Sequence, residues 1–193
     1  MVILGITGGI GSGKSYISFL LREQMNVPVY DCDAEAKRLI CENESIRQEL
    51  THLIGAQVYK DDKLQKRVLA DYLFATPQHA QRVNAIVHPA VREDFHAWVN
   101  RQNADIVAVE SAILYESGFS ADVDKVLFVN ASKELRIQRV MQRDGSSRLQ
   151  VEERMNMQRA EEQCQKADYV IENEGAKQES LLATLQEILK NIN

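Results

Sequence analysis

The 193-residue chain is about one domain long, and its 45% apolar and 26% charged residues, with nine glycines and three prolines, are ordinary globular usage. That excludes collagen-like, low-complexity and disordered classes, while a net charge of −5 sets the whole-chain field against nucleic acid and anionic membrane, so neither is an expected partner. No apolar stretch approaches the roughly 20 residues of a membrane span and the uncharged start lacks a basic flank, so neither a signal peptide nor an anchor is expected.

Five of the nine glycines, Gly5, Gly8, Gly9, Gly11 and Gly13, crowd into residues 5–13. They follow a short apolar run, Val2 to Ile6, that reads as a buried strand, and they precede Ser15 to Met25, where Ile17, Phe19, Leu20 and Leu21 predict a mostly buried helix. Gly8-Gly9-Ile10-Gly11-Ser12-Gly13-Lys14-Ser15 therefore matches G-x-x-x-x-G-K-[ST] in the setting that gives the motif meaning. A polyphosphate must approach the backbone where side chains would block it, and consecutive N–H groups with a helix N-terminus supply positive ends. Lys14 is expected to reach the β- and γ-phosphates and the Ser15 hydroxyl to bind Mg²⁺. The bland alternative is a glycine-rich strand-to-helix turn with an exposed lysine.

A second strand is read at Val27 to Cys32, then a long helix from Ala34 to about Leu53, then helices at Leu64 to Ala75, Pro77 to Val87 with Thr76 as N-cap, and Pro89 to Gln102. Ile106 to Val109, Val126 to Val129 and Val170-Ile171 are β-branched runs without strict polar alternation, as in parallel strands covered on both faces. Helices are expected at Ser132 to Arg143, about Gln150 to Lys166 and Gln178 to Ile192. Five strands separated by helices predict an α/β fold: a five-stranded parallel sheet with helices on both faces, one helical insertion after the second strand and another after the fourth. The three cysteines, Cys32, Cys41 and Cys164, are odd in number and lack C-x-x-C spacing, which fits a reducing, cytoplasmic compartment.

A signalling GTPase would carry Asn-Lys-x-Asp and Asp-x-x-Gly, and the chain has neither, so ATP is the expected nucleotide. A small-molecule kinase that closes over its substrates fits a chain of this size with two helical insertions. A partner-driven ATPase remains the alternative, as does a kinase for another small metabolite.

Further residues are more specific than the phosphate loop. With Thr7 to Ser15, Pro28-Val29-Tyr30-Asp31-Cys32-Asp33, Ile86-Val87-His88-Pro89, Ile113-Leu114-Tyr115-Glu116, Arg139, Arg143 and Asp168 to Gly175, the chain resembles the dephospho-coenzyme A kinases nearly end to end. The resemblance implies a P-loop kinase of the nucleoside-monophosphate-kinase type that phosphorylates the ribose 3′-hydroxyl of dephospho-coenzyme A with ATP. It also implies a core of residues 1–33, 103–135 and 167–193, a helical substrate domain at 34–102 and a lid at 136–166. Tyr16 stands where the family usually has Thr or a small residue, Lys37 where Arg is common, and Ala112 in place of Pro. Asp61-Asp62-Lys63-Leu64-Gln65-Lys66 replaces a pattern with Gly after the Asp and Arg later. These departures bear on contacts behind the loop and on substrate-side detail.

By resemblance Asp33 is the catalytic base that accepts or orients the 3′-hydroxyl proton, with Lys14 and Arg139 neutralising the transferring charge. Asp31 is its neighbour near Mg²⁺ or substrate, although one of the pair could instead cap the helix from Ala34; alternation along an extended segment points both to one side. Glu110, ending an apolar strand, is placed to hold a metal-bound water or substrate, and Glu116 carries a similar but weaker expectation. His88 either hydrogen-bonds substrate or fixes its helix junction. Gly8, Gly9, Gly11, Ser12, Gly13, Lys14, Ser15, Tyr16, Arg139, Arg143, Asn173 and Gly175 form the expected ATP site, the last two as a turn that reads adenine or merely joins strand to helix. Arg136, Arg139 and Arg143 share one helix face at i, i+3 and i+7, which suits a triphosphate. Glu134 nearby reads Arg136 as a solvated ion-pair residue, and Arg154 and Gln158 match a second lid motif weakly. Trp98, Phe95 and Cys32 are read chiefly as packing.

Overall fold

The computed structural model describes residues 1–156, 158 and 160–192. In chain order the elements are β1 (Val2–Thr7), α1 (Lys14–Met25), β2 (Val29–Asp31), α2 (Cys32–Glu42), α3 (Glu44–Ile54), β3 (Tyr59–Lys60), β4 (Lys63–Leu64), α4 (Lys66–Leu73) and α5 (Pro77–Val99). There follow β5 (Ile106–Glu110), β6 (Lys125–Asn130), α6 (Lys133–Asp144), α7 (Arg148–Asn156), α8 (Ala160–Lys166), β7 (Tyr169–Glu172) and α9 (Gln178–Ile192). Five strands make one sheet in the order β2-β5-β1-β6-β7, with β1 parallel to β5 and β6, and β6 parallel to β7. The expected five-stranded parallel α/β core is therefore present.

The chain divides into two compact units, residues 1–30 with 102–193, and residues 31–101. In the first, every residue of β5 is buried, which explains its unbroken apolar pattern: both faces of a parallel sheet are covered. Leu4, Ile6, Leu127 and Val129 of the sheet pack with Ile17, Leu20 and Leu21 of α1 and with Leu181, Leu185 and Ile188 of α9. The second unit is helical apart from the β3–β4 hairpin. On α5, Val83, Val87, Val91 and Phe95 recur at intervals of four and are all buried, a single apolar stripe. Among the described residues no helix is long and apolar enough to cross a membrane, and all three cysteines are free.

Several local expectations need correction. The second strand, Val29–Asp31, is shorter than Val27 to Cys32: its last residue, Asp31, caps α2, and its Oδ1 accepts from the N–H groups of Asp33 and Ala34 at 3.0 Å each. The helix expected from Ala34 to Leu53 breaks at Asn43, which adopts an extended conformation and accepts the Ile46 N–H on its own Oδ1 at 3.0 Å. A short polar side chain that can substitute for backbone acceptors starts a new helix there. In contrast, α5 runs through Pro89 without stopping. The proline forgoes one N–H bond, and the buried stripe on either side of it holds the helix together. The helix expected at Gln150 to Lys166 is represented by α7 and α8; its middle, at Met157 and Arg159, lies outside the described residues.

The β3–β4 hairpin was not expected at all, and the helix read from Leu64 begins only at Lys66. Asp61 and Asp62 carry φ of 49° and 60°, the two left-handed residues that a two-residue hairpin turn demands. Asp62 also accepts from Arg47 Nη2 at 2.8 Å, with its own side chain 93% exposed. A left-handed Asp costs more than a left-handed Gly, and an exposed ion pair returns little. Asp62→Gly is expected to raise stability by about 0.5–1 kcal/mol, read as the urea unfolding midpoint. A lower midpoint would show that the Arg47 bond outweighs the backbone term.

Candidate active site

β1 is central, with β5 on one side and β6 on the other, so its carboxyl end is where the sheet's strand order reverses and where open α/β sheets bind ligands. The loop from Gly8 to Gly13 leaves there. Gly13 caps α1 at φ 96°, with no side-chain cap, so the first turn of α1 presents its N–H groups towards whatever the loop encloses. A Cβ on Gly13 would strike Asn173 Nδ2. Gly13→Ala is accordingly expected to cost about 1–3 kcal/mol and to weaken ATP binding, measured by thermal unfolding with and without nucleotide.

Asn173, just past β7, supports the loop from beneath. It is buried, its Nδ2 donates to the Ser12 carbonyl at 2.8 Å, and its own N–H donates to the Asn130 carbonyl at 2.8 Å. Arg139 of α6 joins the same support, donating from Nη1 to the carbonyls of Ser12 at 3.2 Å and Gly11 at 3.4 Å, and from Nη2 to that of Asn173 at 3.0 Å. Lys14 Nζ folds back on the loop, donating to the carbonyls of Gly8 at 2.9 Å and Gly9 at 3.3 Å.

Ser15 donates its hydroxyl proton to Glu110 Oε1 at 2.8 Å. Glu110 is only 7% exposed, and its Oε2 is buried with no partner among the described residues. A buried carboxylate oxygen left unpaired is costly unless a cation or water completes it. A hydroxyl and a carboxylate side by side at a phosphate loop are oxygen donors of the kind a hard divalent cation takes. A cavity of about 210 Å³ opens over this end of α1, lined by Gly11, Gly13, Lys14, Ser15, Arg139, Val140 and Arg143. Its lining has three cationic side chains and no carboxylate, which suits a polyanion.

A family model for dephospho-CoA kinase (CoaE) matches residues 2–179. The chain belongs to the dephospho-CoA kinase family. It is a kinase. A dephospho-CoA kinase of Bacteroides fragilis is 48% identical over 176 residues, covering 90% of this chain and 85% of the relative. One of Porphyromonas gingivalis is 42% identical over 167 residues, covering 86% and 82%. A solved structure from Thermus thermophilus superposes with a TM-score of 0.85 at 35% identity over 100% of this chain and 98% of the other.

In this kinase the remaining expected residues fall out unevenly. Arg143 lines the cavity, but its guanidinium is paired with Asp144 at 2.7 and 3.0 Å, and Arg154 Nη1 reaches the same carboxylate at 3.1 Å. Those two arginines, Arg143 before Arg154, hold the Asp144 carboxyl at about 2. Tyr16 is not among the lining residues; its hydroxyl donates to Gln178 at 3.3 Å and its ring stacks on Phe19. Gly175 adopts φ 76° in the turn before α9.

Asp31, Asp33 and His88 belong to the second unit. Because Asp31 caps α2 and Asp33 is already in the first turn, strand alternation does not govern where the two carboxylates point, contrary to the expectation. Asp33 is exposed, and no side chain engages its carboxylate among the described residues. Arg38, next to Lys37, is held by Glu35, Glu42 and Asp94, the last at 2.9 Å. His88 is half-buried in α5, and burial pushes its imidazole pKa down, which keeps the ring neutral at pH 7.

Sequence reasoning misplaced Arg136. Glu134 pairs instead with Arg148, bidentate at 2.8 Å twice, while Arg136 Nε donates to the Ile10 carbonyl at 2.9 Å. The spacing could have shown it: residues i and i+2 do not face each other on a helix, whereas Arg136 and Arg139 at i and i+3 do. Gln163 carried no signal. It is buried, accepts from Thr7 Oγ1 at 3.4 Å and donates to Glu116 Oε1 at 2.7 Å, tying α8 to the end of β1.

Proposed function

We propose that this chain transfers the γ-phosphoryl group of ATP to the ribose 3′-hydroxyl of dephospho-coenzyme A, giving coenzyme A and ADP, the last step of coenzyme A synthesis. The observation that carries the reading is an intact phosphate loop, with Lys14, Ser15 and Arg139 around one cationic cavity, in a chain whose family membership spans nearly its whole length. The bond from the γ-phosphorus to the ADP oxygen breaks as the bond to the ribose 3′-oxygen forms, and the hydroxyl proton leaves toward Asp33. The transition state is loose, so positioning and charge neutralisation supply most of the rate.

Each group has a stated task. The loop N–H groups and the α1 N-terminus hold the β-phosphate, and Lys14 exchanges its bonds to the Gly8 and Gly9 carbonyls for phosphate oxygens. Arg139, already fixed to loop carbonyls, and Arg143 face the polyphosphate. Ser15, with Glu110 Oε2 behind it, would hold Mg²⁺, which when bound neutralises phosphate charge. Asp33, with Asp31 fixing the turn before it, orients the acceptor hydroxyl, and neutral His88 contributes a hydrogen bond on the acceptor side. Asn173 and Gly175 bound the nucleotide's base. Three free thiols support a cytoplasmic setting.

The test is ADP release with Mg-ATP in the presence of dephospho-coenzyme A, AMP, CMP, pantetheine phosphate or no acceptor, with products weighed by mass spectrometry. Stimulation by dephospho-coenzyme A alone, with a product one phosphate heavier, is expected. Acceptor-independent hydrolysis would reassign the chain to the ATPases, and stimulation by another acceptor would keep the mechanism and remove the substrate.

A further inference from the structure

Ile10, at the tip of the phosphate loop, is held on three sides by residues far along the chain. Its carbonyl accepts from Arg136 Nε at 2.9 Å, and its N–H donates to Gln158 Oε1 at 2.7 Å. Its side chain packs against the buried cluster of Ile137, Val140, Val151 and Met155 formed by α6 and α7. The Arg136 guanidinium also covers Gly9, where a Cβ would collide with Nη2. That guanidinium is half-buried and faces no carboxylate among the described residues, so burial alone acts on it and lowers its pKa. Withdrawing an unpaired charge from water costs free energy that a single carbonyl only partly offsets. Such a group is better explained by what it does to the loop than by what it adds to stability.

We propose that Arg136 is a positioning residue for phosphoryl transfer: together with Gln158 it clamps the Ile10 backbone from both sides, so that the phosphate loop is already shaped for ATP. The clamp rests on the kinase reading above and deepens it. It joins the loop to α6 and to the bend before α8, so the loop and these segments take up one arrangement together.

Arg136→Gln, Arg136→Lys, Gln158→Leu and the double variant Arg136→Gln/Gln158→Leu test it, with Mg-ATP affinity by calorimetry, both KM values and the melting temperature as readouts. Each of Arg136→Gln and Gln158→Leu is expected to weaken ATP about ten-fold, as loss of one hydrogen bond at a preorganised site does. The KM for dephospho-coenzyme A should stay within about two-fold. Arg136→Lys, which keeps the charge and a donor, should restore ATP affinity to within about three-fold of the parent. The double variant should lose little more than the worse single one, because both act on the backbone of one residue. ATP affinity unchanged in Arg136→Gln, fully multiplicative losses in the double variant, or equal rises in both KM values alongside a fallen melting temperature would each overturn the clamp. Because ATP binding is read without an acceptor, a parent enzyme inactive on dephospho-coenzyme A but with these same ATP losses would uphold the clamp and remove only the acceptor assignment.

Discussion

Lys14→Ala should lose both nucleotide binding and turnover, with kcat/KM for ATP falling about 1,000-fold, the scale of removing a preorganised donor from a transferring anion. Lys14 Nζ donates to two carbonyls of the loop itself, those of Gly8 and Gly9. The ammonium therefore has a local partner when no phosphate is present and a stronger one when ATP arrives. Melting temperature should change little, because the Gly8 and Gly9 carbonyls that the ammonium bonds belong to the loop and not to a strand or helix. Steady-state kinetics and nucleotide calorimetry on the same preparation separate the two effects. Near-normal ATP affinity in Lys14→Ala would show that the loop amides and Arg139 suffice for binding and that the lysine's part is confined to the chemical step.

Asp33→Asn should keep ATP binding and lose most turnover, about 100- to 10,000-fold in kcat, the usual contribution of a positioned base. The structure makes this substitution clean. The Asp33 carboxylate is exposed and unengaged among the described residues, and it is the backbone N–H of Asp33, unchanged by the substitution, that bonds to the Asp31 cap. Unfolding should therefore be unaltered, and any loss of rate belongs to the reaction. Single-turnover experiments with saturating Mg-ATP measure it directly. Turnover within a few-fold of the parent would remove Asp33 from the role of base, leaving alignment of the hydroxyl to other groups.

Much of the fold was legible because its signals are local. The glycine-rich run between an apolar strand and an amphipathic helix located the phosphate loop, and uninterrupted β-branched runs located strands such as Ile106–Glu110, buried along their whole length. The misreadings came where a local rule had a competitor. Asn43 looked like a helical residue until its side chain took over as a cap; Pro89 looked like a helix start until packing on both sides carried α5 through it. The Asp61–Asp62 turn lacked the glycine or asparagine that advertises such hairpins.

What the sequence determined by itself was the family of chemistry: a strand, a phosphate loop and a helix in succession need only neighbouring residues to be recognised, and their backbone conformations follow from glycine at the left-handed positions. Tertiary structure alone decided how the cations are shared. Arg148 is bound to Glu134, whereas Arg136 and Arg139 are turned onto loop carbonyls more than 120 residues away in sequence. The same holds for Asn173 beneath Ser12 and Gln163 between Thr7 and Glu116. Helical spacing says which charges share a face, but a partner from elsewhere in the chain reaches that face only when distant segments pack against it.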